Sequence, residues 1–356
     1  MEAYLVLENG RKFRGKRFGA GGDVIAEMTF TTGMTGYLEN LTNKSFSGQI
    51  IVQTFPLIGN YGVIPSDFEG DQIGPCGYIV KEWCQTPSNF RSEGDLDTFF
   101  VSKNVVGLSG IDTRALTKVI RDAGTLNGCI TNDPDSVDLE QLRKHKATGL
   151  VEKVSTEKAY TVEATGAAKF NIALLDCGLK KSIITELTAR GCKVTVWPFD
   201  TKAETILETK PNGIVLSNGP GNPSEIPAVV EQVKLLSASG IPMFGICLGH
   251  LLLAKAHGFA ITTLQQAHRG GNVPVRDVET KLLHITSQGH AYTVTRESID
   301  AKIAKIRFEN VTDLSCEGLQ YVDKPAMSVQ FFPEASPGPL DARFLFNEFI
   351  SMMEGV

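Results

Sequence analysis

The sequence predicts an α/β protein: a carboxyl-terminal doubly wound, mostly parallel sheet preceded by a β-rich α/β amino-terminal domain. Three observations carry this. Short apolar runs parted by Gly- and Pro-rich turns fill the first part of the chain. From Lys169 onward strands alternate with helices, the rhythm of a doubly wound sheet. And 356 residues exceed the roughly 100–200 that one ordinary core holds, so two domains are expected. The boundaries read as 1–131 for the first domain, 132–168 for a connector, and 169–356 for the second.

Taken in order, Tyr4-Leu5-Val6-Leu7 reads as a strand turned by Glu8-Asn9-Gly10 into Arg11-Lys12-Phe13-Arg14. Ile50-Ile51-Val52 and Tyr78-Ile79-Val80 are further strands. Asp112 to Arg121 has apolar residues at helical spacing, with Asp112 as N-cap and Gly124 as the stop. The polar stretch from Asn132 to Ala168 lacks strong strands and reads as a helical connector plus linker. Beyond it come the strand Ile172–Leu175, an amphipathic helix Lys181–Arg190 ended by Gly191, and the strand Lys193–Trp197. The strand Gly213–Leu216, a helix over Ile226–Ala238, and the segment Ile241–Ile246 follow.

Composition excludes several classes. Lys plus Arg is 35 and Asp plus Glu is 40, a formal charge of −5, which argues against nucleic-acid or anionic-membrane partners. No apolar run reaches the roughly 18–20 residues that span a bilayer. Met1-Glu2-Ala3-Tyr4 lacks a basic region followed by an apolar one, so no signal peptide is expected. The 7 cysteines are scattered without CxxC spacing, which disfavours a zinc ribbon or a disulfide scaffold and points to a reducing, cytoplasmic setting.

Three motifs sit at strand ends, where ligands of doubly wound sheets bind. Phe244-Gly245-Ile246-Cys247-Leu248-Gly249-His250 places a cysteine between a buried strand and a helix. This is a nucleophile-elbow layout in which helix amides both acidify the thiol and offer an oxyanion hole. Ser217-Asn218-Gly219-Pro220-Gly221-Asn222-Pro223 makes a rigid loop with exposed amides. Ser328 to Pro339 ends a strand in a Pro-punctuated loop that carries Glu334.

These motifs, in this order, resemble the class I (triad) glutamine amidotransferases over about residues 169–356. The first half narrows the resemblance. Ser45-Phe46-Ser47-Gly48-Gln49-Ile50, Ile58-Gly59-Asn60-Tyr61-Gly62, Phe90-Arg91-Ser92 and Gly107 to Thr117 are similar to the amino-terminal domain of the carbamoyl phosphate synthetase small subunits. Asp176-Cys177-Gly178-Leu179-Lys180 is similar to that family's D-F-G-x-K, with Cys177 in place of the aromatic. The resemblance implies a subunit that hydrolyses glutamine through a Cys–His–Glu triad. Ammonia then passes to a large subunit that makes carbamoyl phosphate from bicarbonate with ATP and Mg2+, for pyrimidine or arginine biosynthesis. No cofactor is implied in the small subunit itself. By position, Cys247 is the nucleophile and Glu334 the third triad member; Ser47, Gly219, Gly221 and Leu248 frame glutamine, with Leu251, Gly289, Ala291 and Tyr292 completing the set.

The carry-over fails at the base. Where the family has His-Pro-Glu, this chain has Phe332-Pro333-Glu334. Leu251 replaces a Gln, Gly289 and Ala291 replace the Asn and Gly of Q-N-H-G, and Val273 replaces the His of N-H-P-V. Phe332 cannot deliver a proton to leaving ammonia, assistance that is worth about 10²–10⁴-fold. Glu334, without its imidazole, is expected to favour the neutral acid unless another donor takes over. Of the 6 histidines, His250 is expected to pack beneath the elbow and His290 is the better substitute base. His257, His268 and His284 read as helix-end or loop residues, and His145 as an exposed one. No metal-ligand spacing and no phosphate-binding Walker loop is present. Three readings follow: a glutaminase with a replacement base, an impaired scaffold subunit for a synthetase fed by free ammonia, and a free-standing binding module. The second is favoured, and the partner set is a large subunit with glutamine or ammonia.

Overall fold

The protein is described by a computed structural model covering residues 1–355. The chain divides into two compact units, Met1–Thr148 and Gly149–Val356.

In the first unit seven strands close into a barrel. Their order is Glu2–Leu7, Lys12–Gly19, Val106–Ser109, Gly77–Ile79, Gln49–Gln53, Val24–Thr31 and Asn127–Thr131, which pairs back onto Glu2–Leu7. The first hairpin forms where Asn9-Gly10 predicts it: Gly10 adopts φ +85, and its amide donates to the Leu7 carbonyl at 2.8 Å. Leu5, Leu7, Met28, Ile50, Val52, Ile79, Leu108 and Ile130 point inward and fill the barrel. The helix Thr113–Ala123 starts on Asp112, whose Oδ1 accepts the Ala115 amide at 2.9 Å, and stops at Gly124.

In the second unit ten strands form one sheet. Its parallel centre runs Cys192–Pro198, Phe170–Asp176, Gly213–Leu216, Met243–Ile246 and Ala326–Val329. Helices cover both faces. Pro227–Ala238 and Leu248–Ala256 pack into one apolar layer with Ile206, while Lys181–Thr188 and Phe344–Glu354 pack into the other through Ile183, Leu187, Phe346 and Phe349. An antiparallel wing then extends the sheet through Cys316–Tyr321, Ala304–Asn310, Ile261–Asp277 and Leu283–Val294. Among the described residues no helix is long and apolar enough to cross a membrane.

Two expectations need correction. The stretch 132–168 is not a separate connector. The helix Leu139–Lys144 belongs to the first unit, where Asn127 Nδ2 donates to the Leu142 carbonyl at 3.1 Å. The helix Leu150–Val154 belongs to the second, as does the strand Tyr160–Val162, which pairs antiparallel with Cys192–Pro198. That strand escapes a reading of the sequence because its side chains lie on an exposed edge and show no apolar pattern. His268 and His284 are strand residues rather than loop residues, because the long pair Ile261–Asp277 and Leu283–Val294 carries them. Half-exposed and bulged, that pair also lacks a clean alternation.

Candidate functional site

Cys247 ends the buried strand Met243–Ile246 and precedes the helix Leu248–Ala256. Its backbone adopts φ 53, ψ −105, a conformation that costs a non-glycine residue about 1–3 kcal/mol and is typical of functional positions. The surrounding structure enforces it. The Cys247 amide donates to the Val329 carbonyl at 2.8 Å and the Gly249 amide to the Ser217 carbonyl at 3.0 Å. Both flanking glycines are obligatory by packing: a Cβ on Gly245 would lie 2.7 Å from the Gly249 carbonyl oxygen, and one on Gly249 would lie 2.2 Å from that of Leu216. The thiol is buried, and the amides of Leu248 and Gly219 are directed at it. Amides placed beside a nucleophile are the kind of donor that can serve an oxyanion formed next to it.

The Gly219 amide is placed by two interlocked loops. Asp176 Oδ1 accepts the amides of Gly178 and Leu179, each at 2.8 Å, and so turns the chain after its strand. Ser217 Oγ accepts the Cys177 amide at 2.9 Å, Asn218 Oδ1 accepts the Lys180 amide at 3.1 Å, and Asn218 Nδ2 donates to the Gly178 carbonyl at 2.8 Å. The loops approach so closely that a Cβ on Gly219 would sit 2.1 Å from the Cys177 carbonyl oxygen. Cys177 itself is fully buried and its thiol is pushed far up by desolvation.

The same loop delivers Lys180 into the interior. Its Nζ donates to Glu334 Oε1 at 2.8 Å and also to the Ala335 carbonyl, with both charged side chains 1% exposed or less. The ammonium also lies 4.7 Å from the centre of the Phe332 ring. Phe332 is buried, and its amide donates to the Ser287 carbonyl at 2.9 Å. Glu334 thus has a cation at hydrogen-bond distance in the buried interior, and no imidazole. Burial pushes the Cys247 thiol up to about 12, the Glu334 carboxylate adds to this, and the Leu248 and Gly219 amides and Lys180 offset it only in part. A thiol at about 12 is ionised in roughly one molecule in 10⁵ at pH 7.

The other expected site residues fall in four places. Leu251 is buried beside Leu248 in the apolar layer, and Tyr292 packs against that layer. Gly289 and Ala291 lie on the strand Leu283–Val294, close in sequence to Ser287, whose carbonyl receives the Phe332 amide. Gly221 (φ +84) shapes the loop that carries Gly219. Ser47 belongs to the first unit, where it closes the short turn Lys44–Phe46.

The histidines go elsewhere. His250 is fully buried, its Nδ1 is 2.8 Å from Ser328 Oγ, and burial lowers its pKa to about 3, so it is neutral. His290 has Nδ1 at 2.8 Å from the Tyr292 carbonyl and Nε2 at 2.9 Å from Gln288 Oε1. His268 lies between Glu317 and Asp313, at 2.8 Å and 2.9 Å. Two features were not read from the sequence. Lys180 stands in a quoted motif, which was the only signal available for it. The approach of His268, His290 and Glu317 joins three strands and leaves no local trace.

Comparison with known proteins agrees with this architecture. The family model described as carbamoyl-phosphate synthase small chain, CPSase domain, matches residues 5–130, and that of glutamine amidotransferase class-I matches residues 173–352. A carbamoyl phosphate synthase small chain of Streptococcus agalactiae is 44% identical, covering 99% of this chain and 98% of its own. A carbamoyl phosphate synthase pyrimidine-specific small chain of Halalkalibacterium halodurans is 46% identical, covering 99% and 98%. Among solved structures, a glutamine amidotransferase of Thermotoga maritima matches 46% of this chain and 76% of its own, at 19% identity and a TM-score of 0.40. With relatives this similar over nearly its whole length, the chain belongs to the carbamoyl phosphate synthase small chains, and its second half is a class-I glutamine amidotransferase domain.

Proposed function

We propose that this chain is a cytoplasmic small subunit whose glutaminase step is impaired, and that it serves a carbamoyl phosphate synthetase large subunit chiefly as a structural or regulatory partner. Glutamine hydrolysis needs a thiolate to attack the carboxamide carbon, donors to hold the resulting oxyanion, and a group to protonate the departing ammonia. The Leu248 and Gly219 amides supply the donors. The proton carrier is the missing part. Phe332 has no exchangeable proton, and Lys180 is already committed to Glu334 and the Ala335 carbonyl. The observation that carries the reading is the buried Phe332 standing where a Glu-oriented imidazole is expected, against a buried Lys180–Glu334 pair. ATP and Mg2+ chemistry is assigned to the large subunit, and free ammonia becomes its nitrogen source.

The test is reconstitution with the large subunit, measuring carbamoyl phosphate from glutamine and from ammonium. Ammonium is expected to support synthesis, while glutamine contributes nothing that Cys247→Ser removes. Glutamine-dependent synthesis abolished by Cys247→Ser overturns the proposal and restores the glutaminase reading. Failure to associate with any large subunit favours a free-standing binding module.

A further inference from the structure

The antiparallel wing of the second unit holds a cluster that neither the family membership nor the proposed function uses. His268 and His290 face each other across paired strands, with ring centres 5.0 Å apart, and Glu317 reaches them from the strand Cys316–Tyr321. Each histidine has its outer nitrogen fixed by an oxygen acceptor. His290 Nδ1 is 2.8 Å from the Tyr292 carbonyl, which can only accept, so that nitrogen carries a proton and Nε2 turns inward. His268 Nε2 is 2.9 Å from Asp313 Oδ2, so Nδ1 turns inward to Glu317 Oε1 at 2.8 Å. An imidazole held from behind by a carboxylate or a carbonyl is the arrangement found behind metal ligands.

The carboxylate between them is incompletely satisfied. Glu317 is fully buried. Its Oε1 also accepts from Asn310 Nδ2 at 3.2 Å, but Oε2 has no hydrogen-bond partner and lies 3.7 Å from His290 Nε2. That separation is too long for a hydrogen bond. It lies within about 0.1 Å of the separation of two donors on one ion, since ligands about 2.0–2.2 Å from a tetrahedral metal stand roughly 3.3–3.6 Å apart. Gln288 adds an oxygen. Its Nε2 donates to Thr286 Oγ1 at 3.0 Å, which leaves Oε1 facing His290 Nε2 at 2.9 Å. One ligand atom from each of His268, His290 and Glu317 lies within 4.8 Å of the others.

We propose that His268, His290 and Glu317, with Gln288 Oε1 beside them, bind one divalent transition-metal ion of the zinc class. Two imidazoles and a carboxylate suit zinc, cobalt or nickel and do not suit magnesium or calcium, which take oxygen ligands. Binding exchanges one charge carrier for another. The protons on His268 Nδ1 and His290 Nε2, each facing an oxygen acceptor, leave to solvent, and the metal takes the two lone pairs they occupied. The bound ion ties three strands of the wing together. It also sits one link from the pocket, because the Glu317 carbonyl accepts the Gln330 amide at 2.8 Å while Gln330 Nε2 lies 3.8 Å from Cys247 Sγ. This expectation departs from the sequence, in which no metal-ligand spacing appears.

The test uses the full chain without a polyhistidine tag, stripped with chelator and titrated with Zn2+ by calorimetry and by thermal unfolding. One equivalent is expected to bind and to raise the unfolding temperature. Asp313→Asn, at a half-exposed position where folding is safe, is expected to weaken binding about 10–100-fold. His290→Ala and Glu317→Gln are expected to abolish it. Cys247→Ser should bind as the parent does, and the Co2+ form should show nitrogen and oxygen ligation without a thiolate band. Failure to bind a stoichiometric ion overturns the proposal and leaves the cluster a metal-free ionic network. So does binding untouched by Asp313→Asn and His290→Ala, or a thiolate band. None of these outcomes depends on glutaminase competence.

Discussion

Replacing Lys180 with Met keeps the stem of the side chain and removes the ammonium, leaving Glu334 buried without its cation. Both side chains are 1% exposed or less, so solvent cannot screen the loss. Breaking one partner of such a pair costs about 3–5 kcal/mol. The Ala335 carbonyl loses its Lys180 donor as well, which adds about 1 kcal/mol. In a unit of this size each kcal/mol moves the midpoint by roughly 2–4 °C. The second unit of Lys180→Met is therefore expected to melt about 8–24 °C lower in calorimetry of the full chain. Lys180→Met combined with Glu334→Leu removes both charges and is expected to recover most of that loss, since an apolar pair of similar volume is often neutral or better. The coupling energy of this cycle should reach about 3 kcal/mol. A single-variant cost under about 1 kcal/mol, or a double variant no more stable than the single, refutes the claim that the buried Lys180–Glu334 pair holds the site together.

The Cys247 thiol should alkylate slowly at pH 8, with a rate that keeps rising toward pH 12. Its folded pKa lies above the ordinary value of 9.0, so the buried neutral thiol contributes stability below about pH 9 that fades as pH climbs toward 12. Glu334→Gln removes the carboxylate that raises it and should speed alkylation at fixed pH, and a rate that levels off below pH 8.5 contradicts the geometry. Gly219→Ala is expected to destabilise the second unit by about 3 kcal/mol or more, measured by urea unfolding, because its Cβ would lie 2.1 Å from a backbone oxygen. Phe332→His with Leu251→Gln is expected to raise glutamine hydrolysis by about 10²-fold or more in an ammonia-release assay. No gain from a folded variant means that the pocket has changed beyond these two positions.

Much of the site was legible because its chemistry is written locally. The glycines around Cys247 and Gly219 announce close backbone approach, and in the structure carbonyl oxygens stand where an added Cβ would come within 2.1 to 2.7 Å of them. The helix caps at Asp112 and Gly124 were legible for the same reason, since a cap is a contact between near neighbours. The edge strand Tyr160–Val162 and the long antiparallel wing were not. Their residues face solvent or a thin core, and pairing with distant strands rather than side-chain periodicity makes them strands.

By itself the sequence determined the two-part α/β architecture, the elbow at Cys247, the loop at Gly219, and the replacement of the expected base by Phe332. It could state that Glu334 had lost its imidazole, but not that a lysine ammonium lies against it. Tertiary structure alone decided that Lys180, on a loop far away in the chain, brings its ammonium to 2.8 Å from Glu334, and that His268, His290 and Glu317 meet on three strands. Electrostatic pairing acts through space over a few ångströms, and only the fold sets which residues come that close.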